Sequence, residues 1–239
     1  MSSSGYVASD DVRYRRIDGC GIVLDLRAQR YSVLDELATS MWEILTGEVE
    51  ADHCIRKWAR EYETTVDEIV GTIDGFCADR LEKGWLRRRD SVENPGLDQR
   101  TSGQFRHLRR LLPNGLFAFS VLTFTALSLR FRGFSTTYGR HRTVVGMPVP
   151  GHAPALDSLI RPFLAAENFV FLRRAPNDCL VRSLALFSYL RWSGIPASHV
   201  IGIRRVPFAA HAWVEVSGEG VLAPVPRGFH ALAVLTSAC

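Results

Sequence analysis

Along the first ninety residues the spacing of apolar positions changes once, from two to about 3.6. Over residues 20–26 apolar and polar positions roughly alternate, with Ile22, Leu24 and Leu26 on one side, which predicts a strand. A short polar connection at 27–30 and a second run at 31–34 complete a hairpin. Asp35 then stands where a helix cap belongs, with Leu37, Ala38, Met41, Trp42 and Leu45 at helical spacing and Gly47 just past the end. Ile55, Trp58 and Ala59 continue the helical pattern over 51–62. Thr65 and Glu68 form a capping-box pair for a third helix, whose apolar face is Val66, Ile69, Ile73, Phe76, Cys77 and Leu81 and which Gly84 ends. Residues 1–10 are expected to fray. Two strands and three helices predict a small α+β unit over 1–90.

Residues 91–108 are polar and rich in turn residues, the composition of a linker. An uncharged apolar run at 116–129 follows, flanked by Arg109, Arg110, Arg130 and Arg132. It falls short of the about 20 apolar residues that a membrane span needs, so a buried or membrane-apposed helix is expected there. Residues 146–151 read as a loop, and 156–171 as a helix that Pro162 kinks or turns early.

From 177 the pattern is helix, then strands. Asn177 or Asp178 suits an N-cap, which puts Cys179 in the first turn of a helix with Leu180, Leu184, Phe187 and Leu190 on its apolar face. Gly194 and Pro196 end it. Strands are predicted at 199–203 and 210–216, a turn at 218–220 and a weak third strand at 221–225. The second domain is therefore set at 109–239.

Charge supports the division. Residues 1–90 hold 13 Lys and Arg against 18 Asp and Glu, whereas 91–239 hold 16 against 7. Surface solvation accounts for the basic half, and no nucleic-acid partner is expected. The five cysteines are scattered, without a CxxC pair or a Cys/His ligand cluster, so neither a zinc site nor any other cofactor is expected. With no apolar signal core at residues 1–11, a reducing cytoplasm is the expected compartment. His53 reads as a surface or packing residue, and His152 has no obvious partner.

The chemistry rests on Cys179 and on His211, thirty-two positions later on the 210–216 strand. The unpaired amides of a helix start favour an anion such as a thiolate, and a nearby imidazole can take and return the proton. By spacing alone, a buried thiol and a half-buried strand histidine account for the pair equally well.

Two resemblances sharpen this. Leu24-Asp25-Leu26, Tyr31-Ser32-Val33-Leu34, Met41-Trp42-Glu43-Ile44-Leu45 and Leu81-Glu82-Lys83-Gly84-Trp85-Leu86 resemble the PqqD-like recognition element of ribosomal peptide-natural-product pathways. That resemblance implies a winged-helix-like fold that takes a leader peptide as an added strand. The implied contacts are Tyr31, Val33 and Leu34 on the strand edge and Ile69, Ile73, Phe76 and Arg80 on the third helix.

The words Cys179-Leu180-Val181-Arg182-Ser183-Leu184, Gly194-Ile195-Pro196-Ala197 and Ala210-His211-Ala212-Trp213-Val214-Glu215-Val216 resemble the B proteins of lasso-peptide biosynthesis. These are papain/transglutaminase-like cysteine peptidases. The resemblance implies Cys179 as nucleophile, His211 as base, the leader of a precursor peptide as substrate and an asparagine-synthetase-like lasso cyclase as partner. The Asp that family usually carries a dozen residues after the histidine is missing, since Ala223 stands there. Glu215 shares the face of His211 but lies about 13 Å along the strand. A backbone carbonyl, a water or His230 remains to orient the imidazole. A dyad peptidase and a degenerate subunit that delivers precursor to the cyclase both fit. Peripheral membrane contact through 116–129 is a further expected interaction.

Overall fold

The computed structural model of the chain describes residues 5–91, 108–109, 111–141, 154–170 and 179–236. They fall into two units, Met1–Pro95 and Gly96–Cys239.

In the first unit, β2 (Val12–Ile17), β3 (Cys20–Asp25) and β4 (Arg30–Leu34) form an antiparallel sheet in that order. Helices α1 (Glu36–Thr46), α2 (Ala51–Glu61) and α3 (Val66–Glu82) follow. Their ends are set by the expected chemistry. Asp35 accepts from the Ala38 amide, Gly47 takes the left-handed conformation that closes α1, and Thr65 with Glu68 makes a reciprocal capping box. The core gathers on Trp42, which is fully buried and stacks on Tyr14 at 5.4 Å. Buried Glu43 is satisfied by the Tyr14 hydroxyl at 2.8 Å and Arg16 at 2.9 Å. Residues 5–10 do not fray: β1 (Tyr6–Ala8) pairs antiparallel with β5 (Leu86–Arg88), a partner some eighty residues away that local pattern does not reveal.

In the second unit, α4 (Asn114–Arg132), α5 (Phe134–His141), α6 (Leu156–Val170) and α7 (Cys179–Trp192) precede β6 (Ala197–Arg204), β7 (Ala209–Val216), β8 (Glu219–Gly220) and β9 (His230–Leu235). The sheet order is β8-β7-β6-β9, all antiparallel. Helix α7 is the hub. It packs against α4, α5 and α6 and against strands β6 and β7. Its residues from Ser183 to Trp192 are all buried, so no single apolar stripe distinguishes it. Tyr189 meets Phe117 of α4 at 5.7 Å and Phe163 of α6 at 5.6 Å. Burying a large apolar side chain contributes about 1.5–3 kcal/mol, so these contacts anchor the helix that begins at Cys179.

One expectation is corrected. Residues 221–225 form no strand, because Pro224 and Pro226 remove the amides a ladder needs. The further strand is His230–Leu235, on the other side of β6. Pro162 lies inside α6, which runs through it.

Candidate active site

Cys179 is the first residue of α7 and is half-buried. The caps expected at Asn177 and Asp178 lie outside the described residues. His211 is half-buried on β7, against which α7 packs, so the fold brings the two carrying elements together. No hydrogen bond joins the two side chains among the described residues.

Strand register explains where the imidazole goes. His211 pairs with Gly202, and residues directly opposite share a sheet face. The ring lies against Trp213 at 6.2 Å, near-parallel, and against the edge of Phe229 at 6.3 Å. Trp213 in turn covers Gly202, where an added Cβ would stand 2.4 Å from the indole. Arg204 stacks on Phe229 at 5.2 Å, completing an aromatic shelf around His211. Strand β8 pairs with β7 only at Glu215 and Val216, so among the described residues β7 is an open edge at His211.

The face of β6 toward α7 carries a different histidine. His199 pairs with Val214, three positions from Gly202, which puts it on the opposite face from His211. It is fully buried, and its Nε2 lies 3.0 Å from Ser183 Oγ on α7. Ser183 Oγ donates to the Leu180 carbonyl at 3.2 Å. The network therefore assigns the proton to His199 Nε2, which donates to Ser183. Nδ1 is left as a buried acceptor without a partner among the described residues. A second relay repeats the arrangement: His141 Nδ1 meets Ser188 Oγ, which donates to the Leu184 carbonyl at 3.0 Å. Burial pushes His141 down to about 4. Burial, with a smaller contribution from nearby His141, pushes His199 down to about 3. Both rings are neutral near pH 7.

Ser183 lies one helical turn beyond Cys179, and Leu180 is its neighbour. The first relay therefore fixes the opening turn of the helix that presents the thiol. The sequence reading missed both histidines. Their only local signal is a pair of serines, Ser183 and Ser188, inside an otherwise apolar helix.

Neither Glu215 nor His230 is placed to orient His211. Glu215 accepts a 2.6 Å bond from Trp213 Nε1 and is thereby occupied. His230 is exposed and pairs with Ile203, so it sits on the opposite face from His211. Among the described residues no three His, Cys, Asp or Glu side chains cluster as a metal site.

Of the residues implied in leader binding, Val33 is 56% exposed on β4, which is the edge of its sheet among the described residues. Tyr31, Ile69 and Phe76 are half-buried. Leu34 and Ile73 are corrected: both are buried in the core, where packing removes them from a surface contact. The Arg80 guanidinium lies over Phe76 at 4.4 Å and over Trp85 at 4.9 Å. His53 is exposed, and His152 lies outside the described residues.

Residues 121–237 match the transglutaminase-like superfamily, over about half of the chain, and form a transglutaminase-like core domain. The chain is also a distant homologue of the microcin J25-processing protein McjB of Escherichia coli, 41% identical over 64 residues. That match covers 26% of this chain and 31% of the relative. No solved structure matches the chain.

Proposed function

We propose that the chain is a cysteine peptidase that removes the leader from a ribosomally made lasso precursor and releases the core peptide to a macrolactam cyclase. The observation that carries this reading is the placement of Cys179 at the first position of a buried helix packed on the His211 strand. The similarity to a processing protein of a lasso-type pathway supports it. In the proposed reaction Cys179 Sγ gives its proton to His211 and attacks the scissile carbonyl. The tetrahedral oxyanion is met by amides of the opening turn of α7. Collapse expels the core amine, which takes the proton from His211. Water, deprotonated by the same imidazole, hydrolyses the thioester and frees the leader. His211 stands at an open strand edge, and catalytic hydrogen bonds often form only in the substrate complex. The β6–β7 register places the imidazole on the sheet face away from α7, so this reading requires that precursor binding bring the imidazole round to Sγ.

The first unit is proposed to be a PqqD-like, winged-helix-like recognition element. The leader adds as a strand along β4, with Tyr31 and Val33 on the edge and Ile69, Phe76 and Arg80 on α3.

A second reading is a delivery subunit without peptidase activity. It is favoured by the occupied Glu215 and by the aromatic packing of His211. Incubation with precursor, followed by mass spectrometry, separates the two. Leader release by the native chain and its loss in Cys179→Ala supports the peptidase. Tight precursor binding without release supports delivery.

A further inference from the structure

Helix α4 has two unlike sides. At about 100° per residue, Leu116, Phe119, Leu127, Arg130 and Phe131 fall on one arc, with Thr123 among them. Leu116 is 57% exposed, Leu127 48% and Phe131 77%. Phe169, 68% exposed at the end of α6, packs edge-on against Phe119 at 5.7 Å and widens the patch. The other side of α4, through Phe117, Ala118, Val121 and Leu122, is fully buried. The helix is long and apolar enough to cross a membrane by length and composition. Its buried side nevertheless belongs to the core of the second unit.

Charge selects what covers the exposed side. From residue 99 to residue 156 the sequence has eight arginines and no Asp or Glu. Arg130 and Arg132 are exposed at the end of the apolar stripe. A second copy of α4 would bring no carboxylate to them. A polyanion such as nucleic acid would leave the phenylalanines and leucines uncovered. An apolar stripe bordered by arginines is the pattern of a helix lying in a bilayer interface, with Phe and Leu among the acyl chains and guanidinium groups at lipid phosphates.

We propose that α4, with Phe169, is a docking face for an anionic lipid bilayer, on which the protein lies without spanning it. This does not depend on the peptidase reading. The test is flotation of the full chain with phosphatidylcholine vesicles, with and without a third of the lipid replaced by phosphatidylglycerol. The chain is expected to float with the anionic vesicles, about tenfold less with neutral ones, and less again when salt is added. Leu127→Ser with Phe131→Ser, and separately Arg130→Gln with Arg132→Gln, are each expected to lower the bound fraction about tenfold while thermal unfolding is unchanged. Failure to float with anionic vesicles overturns the proposal, as does flotation that neither pair of substitutions alters. A dimer seen by light scattering that Leu127→Ser with Phe131→Ser dissolves, without vesicle binding, assigns the face to a second copy and also overturns it.

Discussion

Ser183 Oγ and His199 Nε2 stand 3.0 Å apart in the buried seam between the Cys179 helix and β6, and the same serine donates to the Leu180 carbonyl. A strand is thereby tied, through one hydroxyl, to the backbone beside the thiol. Ser183→Ala leaves a buried N–H without an acceptor, which costs about 1–3 kcal/mol. It should lower the urea midpoint and slow alkylation of Cys179 by iodoacetamide at a given pH. Unchanged alkylation with lowered stability would make the relay purely structural.

Acid should weaken the second unit through the same seam. His199 and His141 are held neutral by burial, at about 3 and about 4 against 6.5 in an unfolded chain. Below pH 6.5 the unfolded chain takes up protons that the folded one refuses. Stability present above 6.5 is therefore lost as pH falls toward the folded values, on the order of several kcal/mol for the pair. Unfolding free energy measured between pH 7 and 4 should fall steeply, and the slope should flatten in His199→Gln.

The shelf around His211 is open to one small change. Gly202→Ala places a methyl 2.4 Å from the Trp213 indole, too close to coexist with it. Displacing that ring removes the surface on which His211 lies. Overpacking of this kind typically costs about 1–3 kcal/mol. A lowered melting temperature and shifted tryptophan fluorescence are expected, with loss of precursor cleavage.

How far the sequence foretold this depends on the range of the interactions. Local devices were legible. The Asp35 cap, the Thr65–Glu68 box and the Gly47 stop are each set by residues within a few positions. Cys179 at a helix start and His211 on a strand were legible for the same reason. Pairings between distant segments were not. The partner of Tyr6–Ala8 is Leu86–Arg88, and His230–Leu235 joins β6 across an intervening hairpin. The relays were hidden because His141, His199 and the serines of α7 meet only through tertiary packing. Register decides which sheet face each histidine occupies, and a period-two pattern alone does not say which face a helix will cover.

In the first unit, Val33→Arg should weaken leader binding about tenfold or more by placing a charge on the exposed edge of β4, where like-for-like strand addition is proposed. Fluorescence polarisation with a labelled leader measures it. The substitution is at an exposed position, so the melting temperature should hold.

The proposed thiol chemistry is tested most directly by the intact mass of the protein after brief mixing with precursor and acid quench. The account predicts a leader acyl group bound to Cys179 as a thioester, absent in Cys179→Ala and formed far more slowly in His211→Ala. Leader release at the native rate by Cys179→Ala, with no adduct on the native chain, would contradict it.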